Sequence, residues 1–209
     1  MIIRPELKTH FECQPMVIII SGPSGVGKGV IVKELLNKES KLAFSISAIT
    51  RQRRNNEIEG KDYLFFSQEE FQKKIENNEF LEWAFVHGNY YGTLKSQVQN
   101  FLSYQYDVLL DIDVQGADKI KKLVPDSVSI FLLPPSWAEL ETRLKLRGTD
   151  DNCEINKRLN RAKEELSYFK NYDYWVINRT PEETVLCICQ IINAERHKIN
   201  RIKGDIFYD

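Results

Sequence analysis

A glycine-rich segment near the beginning of the chain has the residue types and spacing of a phosphate-binding loop. The apolar run Val17–Ile20 leads into Ser21-Gly-Pro-Ser-Gly-Val-Gly-Lys28-Gly29, and residues with helical spacing follow. The glycines allow the backbone to curl so that successive N–H groups face one point, and the start of the next helix adds positive potential there. Lys28 supplies a cation for the β- and γ-phosphates of a nucleotide. The alternative, a loop that only caps a helix, is disfavoured because strand, spacing, lysine and helix all agree.

The position after Lys28 departs from the usual loop pattern, and this affects where a metal could bind. Gly29 and Val30 stand where a Ser or Thr hydroxyl would usually contact Mg²⁺. A magnesium ion would therefore need nucleotide phosphates, water and a carboxylate from elsewhere. Asp111 follows a second apolar run, and carboxylates at the carboxyl edge of a parallel sheet lie where such folds bind ligands. The alternative is a strand that simply ends in solvated acids.

Arginines form two groups that could neutralise phosphate charge. Three lie within four positions, and three more surround a polar segment further along the chain: Arg51, Arg53 and Arg54, then Arg143, Arg147 and Arg158. The guanidinium fork matches phosphate oxygens, and phosphoryl transfer needs positive charge on the donor, the acceptor and the group in transit. Solvated charge with no ligand and an RNA-binding surface are the alternatives. Acidic residues interleave heavily after the first group, which argues against a polyanion and favours a small phosphate.

The elements that must position these residues alternate between strand and helix. Short apolar runs predict strands at Val17–Ile20, Phe44–Ile49, Val108–Ile112, Val128–Leu133 and Trp175–Ile177. Near-continuous apolarity is typical of strands covered on both faces, as in parallel sheets. Apolar residues with helical spacing lie between the runs, and capping signals mark helix starts at Ser67, Ser136 and Thr180. The alternation predicts a doubly wound α/β sheet.

One stretch breaks the alternation. From about residue 44 to residue 92 the chain is richer in aromatics, with short strand-like pieces and one helix, which indicates a unit inserted into the α/β core. Thr93 is expected to cap the helix that follows. A second polar segment, 147–156, is interpreted as a short flap. The first fourteen residues and the last seven are interpreted as loosely held ends.

The composition excludes several classes of protein. With 42% hydrophobic and 28% charged residues, 7 prolines and 10 glycines, the chain is neither disordered nor collagen-like. A net charge of -1 gives no general attraction to DNA or to an acidic membrane. Four cysteines without metal-like spacing, a start without a targeting pattern, and the lack of an apolar run of membrane-spanning length predict a soluble, cytoplasmic protein.

Taken together, these motifs resemble the guanylate kinase family. The matching pieces run in family order over nearly the whole chain, from about residue 16 to residue 197. They are SGPSGVGKG (21–29), FSISAITRQRR (44–54), EGKDY (59–63), EFLEW (79–83), HGNYYGT (87–93), LLDIDVQG (109–116), IFLLPPS (130–136), RLKLRGTD (143–150), NKRL (156–159) and the strand that ends in Asn178. Each piece alone is weak, but ten in order are highly specific.

The resemblance implies a fold and a division of the chain. The fold would be α/β, with a P-loop NTPase-type parallel sheet core flanked by helices, an inserted mixed α+β GMP-binding domain and a short lid. The implied segments are an N-terminal extension (1–15), the core (16–44, 94–142 and 159–202), the GMP-binding domain (45–93), the lid (143–158) and a C-terminal tail (203–209).

The resemblance also implies an activity, the transfer of the γ-phosphoryl group of ATP to GMP with Mg²⁺ as cofactor. ATP would contact Gly22, Pro23, Ser24, Gly25, Val26, Gly27, Lys28, Gly29, Val30 and Asn178. GMP would contact Ser47, Arg51, Arg54, Tyr63, Glu82, Tyr91, Thr93 and Asp113. The catalytic groups would be Lys28, Arg54, Arg143, Arg147 and Arg158, and Asp111 would hold Mg²⁺ through water. Neither nucleic acid, membrane nor an obligate protein partner is expected.

Departures from the family pattern leave two alternatives open. Arg53 replaces a usual proline in the arginine loop, and Arg179 follows Asn178 where the family favours an acid. One alternative is a related kinase with a changed acceptor, such as ribose 1,5-bisphosphate, AMP or dTMP. The other is a guanylate-kinase-like module that binds phosphopeptides. Glu82 argues against the first, since guanine N1–H and N2–H₂ are donors suited to a carboxylate. Retention of Lys28 argues against the second.

Overall fold

The computed structural model describes residues 7–86, 88–146 and 152–208. The strands are β1 (Leu7–Cys13), β2 (Val17–Ser21), β3 (Leu42–Phe44), β4 (Ala48–Ile49), β5 (Leu64–Phe65), β6 (Phe80–Val86), β7 (Asn89–Leu94), β8 (Asp107–Asp111), β9 (Val128–Leu133), β10 (Tyr174–Ile177) and β11 (Ile202–Tyr208). The α-helices are α1 (Lys28–Lys38), α2 (Gln68–Glu76), α3 (Lys95–Ser103), α4 (Val114–Leu123), α5 (Trp137–Leu146), α6 (Asn152–Ser167) and α7 (Pro181–Arg196). Within these ranges, no helix combines the length and apolarity needed to traverse a lipid bilayer.

The core is a five-stranded parallel sheet in the order β10–β9–β2–β8–β3. Alternation along β2 sends Ile18 and Ile20 to one face, where they pack with α1 and α7. Val17 and Ile19 face the other side and pack with α3 and α4. The double cover explains the continuous apolar sequence of the strand. In the register of β2 with β8, Ile20 pairs with Asp111, which brings the end of β8 beside the start of the glycine-rich loop.

A second, mixed sheet has the strand order β5–β4–β7–β6. Strand β4 runs parallel to β5 and antiparallel to β7, and β6 runs antiparallel to β7. Helix α2 covers this sheet through Phe71, whose ring stacks on Phe80 with centroids 4.2 Å apart. The predicted fold class, an α/β core with a separate mixed α+β unit, is confirmed.

The segment Phe44–Ile49, predicted as one strand, is instead divided between the two sheets. Strand β3 ends at Phe44 in the core sheet, and β4 begins at Ala48 in the second sheet. Between them, the Gln97 side chain accepts a hydrogen bond from the N–H of Ile46 at 2.6 Å and donates one to its carbonyl at 3.3 Å. A distant side chain therefore satisfies the backbone where the chain crosses, and no local pattern signals it.

Helix capping follows the sequence at three positions and departs from it at a fourth. Ser67 forms the predicted capping box at the start of α2, and Ser136 and Thr180 each accept a hydrogen bond from the N–H three residues further on. The prediction that Thr93 caps a helix is wrong. Thr93 lies in β7, opposite Glu82 of β6, and its hydroxyl donates a 2.8 Å hydrogen bond to that carboxylate.

The interpretation of both chain ends as loosely held is wrong for the described residues there. Strand β1 pairs antiparallel with β11, from Leu7 opposite Tyr208 to Cys13 opposite Ile202. The N–H of Gln14 then donates a 2.8 Å hydrogen bond to the carbonyl of Arg201. The two ends fix each other because pairing satisfies backbone groups that neither segment could satisfy alone.

Candidate functional site

The glycine-rich loop joins β2 to α1 in a conformation that only glycine adopts readily. Gly27, the residue before α1, has φ 100° and ψ 21°, the left-handed region. A side chain at this position would also collide with Asn178, because a Cβ would lie 2.8 Å from its Nδ2. Lys28 begins the helix, and its Nζ donates a 2.9 Å hydrogen bond to the carbonyl of Gly22 at the start of the loop. The loop thus folds around its own cation, as an anion site requires.

Two side chains from other elements support the loop. Asn178 is buried; its Nδ2 donates a 2.7 Å hydrogen bond to the carbonyl of Val26, and its Oδ1 accepts one of 3.0 Å from Thr184. Arg143 donates to the same Val26 carbonyl and to the carbonyl of Asn178, each at 3.2 Å. Arg143 therefore lies beside the loop. Asn178 lies against the loop with one hydrogen bond at each end of its amide, and its contact with ATP stays a prediction.

A pocket opens between the second sheet and the carboxyl end of β8. It is lined by Ser47, Glu82, Ala84, Tyr91, Gly92, Asp111, Ile112, Asp113 and Arg161. The structure thus brings together five side chains predicted as site residues, drawn from segments far apart in the sequence. Arg161 on α6 was not predicted.

Glu82 is the most unusual group in this pocket. Its carboxylate is buried, with only 8% of the residue exposed, whereas its neighbour Trp83 is 38% exposed. Burial raises the pKa of Glu82 to about 7, the charge of Asp113 adds to the effect, and the hydrogen bond from Thr93 opposes it. Hydrogen bonds from Thr93 alone do not satisfy the acceptor capacity of a buried carboxylate. The arrangement therefore suits a ligand that brings N–H donors.

The raised pKa makes the stability of the free protein depend on pH in a defined direction. Between the ordinary value of 4.5 and about 7, the folded chain holds a proton on Glu82 that the unfolded chain has lost. The contribution of this group to the free energy of unfolding therefore falls as pH rises through that range. The free energy of unfolding of Glu82→Gln minus that of the parent should therefore increase by roughly 2 to 3 kcal/mol from pH 5 to pH 8. Urea unfolding without nucleotide measures this difference, and a constant difference across the range would contradict it.

Two aspartates lie at the end of β8, on either side of Ile112. Asp113 precedes α4, and its Oδ1 accepts a 2.8 Å hydrogen bond from the N–H of Gly116. Asp111 lines the pocket; burial raises its pKa, and the charge of Lys28 opposes that shift. Among the described residues, none donates a hydrogen bond to the Asp111 carboxylate. Asp111 therefore faces the cation of the loop on one side and the pocket on the other.

The first arginine group is organised by Glu57, one of the acidic residues that follow it in the sequence. Arg51 makes two hydrogen bonds to Glu57, at 2.6 and 2.5 Å, and Glu57 also accepts from the backbone N–H of Arg54 at 2.9 Å. These contacts lower the pKa of Glu57 to about 2. The Arg51 guanidinium lies 5.0 Å from the ring centre of Tyr63. The predicted phosphate ligands Arg51, Arg54 and Tyr63 are thus neighbours; Arg51 is half-buried, and Arg53 and Arg54 are both exposed.

The second arginine group is only partly described. Arg147 lies outside the described residues, and Arg158 is half-buried on α6. Two further charged residues of α6 reach the site, although no motif marked them. Glu165 accepts a 2.8 Å hydrogen bond from the N–H of Ser24 in the loop, and Arg161 contacts both Glu165 and Asp113. Helical spacing is the signal that could have found them, since both lie on the same face as Arg158.

Comparison with known proteins agrees with this geometry. The guanylate kinase family model matches residues 14–195. The guanylate kinase of Caldanaerobacter subterraneus subsp. tengcongensis is 50% identical over 190 residues, which cover 91% of this chain and 92% of the relative. The guanylate kinase of Thermotoga maritima is 45% identical over the same share of both chains. The crystal structure of guanylate kinase from Anaplasma phagocytophilum covers 94% of each chain at 33% identity, with a TM-score of 0.79. On these matches, the chain belongs to the guanylate kinase family and is an ATP:GMP phosphotransferase.

Proposed function

We propose that GMP binds in the pocket with its base against Glu82 and Asp113, and that ATP binds with its phosphates in the loop that ends at Lys28. The buried Glu82 carboxylate carries this proposal. Asp111 lies between the two sites, beside Ile20 at the edge of the core sheet. The proposed acceptor and donor phosphates would therefore meet near the end of β8.

The chemistry of the base supports GMP over other monophosphates. Guanine presents N1–H and N2–H₂ on one edge, and carboxylates at 82 and 113 can accept from them. Adenine would oppose the N1 lone pair to a carboxylate and leave a buried charge without a donor, a large penalty. Thr93 holds one oxygen of Glu82, which fixes the direction of the other. The cost of burying Glu82 would be offset when guanine donates to it.

The phosphate of GMP would be held by the neighbouring groups Ser47, Arg51, Arg54, Tyr63 and Tyr91. An oxygen of this phosphate attacks the γ-phosphorus of ATP, while the bond from that phosphorus to the β,γ-bridging oxygen breaks and ADP leaves. Because the attacking phosphate is already an anion, no general base is needed. Catalysis then rests on positioning and on charge from Lys28, Arg143, Arg147 and Arg158.

Mg²⁺ is the proposed metal, and the donor set fits it. Asp111 offers a carboxylate without a hydrogen-bond donor among the described residues, and Gly29 offers no hydroxyl. Mg²⁺ commonly takes one carboxylate, with water and substrate phosphates completing its shell. When bound, the metal would neutralise charge on the phosphates of ATP. Asp111 would hold it through water.

The proposal extends to setting and partners. It places the reaction in the cytoplasm, which unpaired thiols at Cys13, Cys187 and Cys189 support. It includes no nucleic acid, no membrane and no obligate protein partner, in keeping with a net charge of -1.

A coupled assay that follows ADP release tests the acceptor. With ATP and Mg²⁺ held constant, we expect rapid turnover with GMP and at least a hundredfold lower kcat/KM with AMP, dTMP and ribose 1,5-bisphosphate. Comparable turnover with any of those three would reject the proposed reading of guanine.

A further inference from the structure

Two charged residues of α6 contact the site but have no part in the reaction as described above. Arg161 is about one-third exposed and lines the pocket beside Asp113. Glu165, one turn further along the helix, is buried with 7% of the residue exposed. Burying a carboxylate costs free energy unless it is paired, so the partners of Glu165 indicate its role.

These residues form a continuous chain of hydrogen bonds between the loop and the pocket. The N–H of Ser24 donates to Glu165 Oε2 at 2.8 Å, and Arg161 Nε donates to Glu165 Oε1 at 3.2 Å. Arg161 Nη2 reaches Asp113 Oδ2 at 3.4 Å, and Gly116 N–H donates to Asp113 Oδ1 at 2.8 Å. Each carboxylate oxygen of Asp113 therefore accepts a hydrogen bond from a different donor, which fixes the orientation of the carboxylate. The Arg161 guanidinium spans the two carboxylates, which its planar fork of donors permits.

The charged side chains that line the pocket are mostly acidic. Three carboxylates line it, and among the described residues that line it Arg161 is the one cationic side chain. The charge of Asp113 disfavours ionisation of Glu82. The Arg161 guanidinium, 3.4 Å from Asp113 Oδ2, offsets this repulsion while leaving each carboxylate with unused acceptor capacity.

We propose that Arg161 is a positioning residue for base recognition: it orients the Asp113 carboxylate toward guanine and, through Glu165, ties that carboxylate to the phosphate loop at Ser24. The inference rests on the proposed guanine pocket. It assigns base selectivity partly to a residue that need not touch the base.

Arg161→Met tests the proposal, with GMP and IMP compared as acceptors. IMP lacks the N2 amine of GMP, so it cannot donate the N2–H₂ hydrogen bonds that the two carboxylates would accept from GMP. We expect Arg161→Met to lower kcat/KM for GMP roughly tenfold and for IMP much less, which reduces the selectivity ratio, while the KM for ATP changes less than twofold. Arg161→Lys keeps the charge but cannot span both carboxylates. Its ratio of kcat/KM for GMP to kcat/KM for IMP should therefore lie between the ratios of the parent and of Arg161→Met.

Controls separate this inference from folding and from the proposed function. Lys163→Met removes an exposed cation from the same helix and should leave all constants unchanged. Thermal melting without nucleotide identifies a variant that fails to fold, and Arg161→Lys then carries the test. If the parent prefers GMP and Glu82→Gln abolishes that preference, an unchanged ratio in Arg161→Met overturns this inference alone. Equal losses for GMP, IMP and ATP would also overturn it. If the parent does not prefer GMP over IMP, the proposed pocket fails.

Discussion

Replacing Lys28 with Met should lower kcat about a hundredfold or more, the largest effect expected from a single substitution in this chain. Met keeps most of the length of the side chain and removes the charge. Lys28 begins α1, and its Nζ lies 2.9 Å from the carbonyl of Gly22, so the ammonium is already held at the loop. A preorganised charge at a transferring phosphoryl group contributes several kcal/mol to transition-state stabilisation, hence about two orders of magnitude in rate or more.

Steady-state assays at saturating GMP and ATP measure this effect. Lys33→Met is the matched control, since it removes an exposed lysine from the same helix and should leave kcat unchanged. Circular dichroism of both variants tests whether the fold is retained. Near-normal turnover of a folded Lys28→Met variant would show that the loop does not take part in catalysis.

The second large effect should be selective for one substrate. Glu82→Gln keeps the shape of the side chain but replaces one acceptor oxygen with an amide donor that opposes guanine N1–H or N2–H₂. Losing a charge-assisted hydrogen bond in a buried specificity site costs about 2 to 3 kcal/mol, or roughly thirty- to two-hundredfold in kcat/KM for GMP. The KM for ATP should change little, because ATP is proposed to bind at the loop.

Initial-rate measurements with each substrate varied in turn separate the two constants. Glu76→Gln, at an exposed acid on α2, serves as the control and should behave as the parent. If Glu82→Gln leaves GMP kinetics intact, or impairs ATP and GMP equally, then Glu82 does not read guanine and the assignment of the acceptor pocket fails.

Structural features that depend on interactions between residues close in the sequence could be predicted from the sequence. The loop around Lys28 is contiguous, and its glycines and following helix identify it without knowledge of the fold. The apolar run of β2 predicts a strand covered on both faces, and Ser67 with Glu70 predicts a helix start. In each case the deciding interactions lie within a few residues, so local pattern and final structure agree.

Features decided by distant contacts could not be predicted. The split of Phe44–Ile49 depends on the Gln97 side chain, and the pairing of β1 with β11 joins the two ends of the chain. Thr93 has the residue type of a helix cap, but the register of β6 with β7 places it opposite Glu82. Tertiary pairing decided each of these three outcomes where local preference pointed elsewhere.

The candidate site divides in the same way. Family motifs identify the proposed nucleotide ligands, such as Glu82 and Asp113, because the spacing of such residues along the chain is recognisable; the structure places these two in one pocket. The motifs do not include Glu57, Arg161 and Glu165, which contact other groups of this chain at separations of three to more than a hundred residues. The helical spacing of Arg161 and Glu165 relative to Arg158 can be seen in the sequence, but their partners Asp113 and Ser24 become apparent only once the chain is folded.

The most direct test of the central claim is a crystal structure of the chain with GMP and a non-hydrolysable ATP analogue. The quantity to measure is the distance from guanine N1 and N2 to the nearest carboxylate oxygens. We expect Glu82 and Asp113 within about 3.2 Å of these nitrogens, with the analogue's phosphates at the loop beside Lys28. Guanine bound elsewhere, or bound in the pocket with both carboxylates turned away from N1 and N2, would contradict the account.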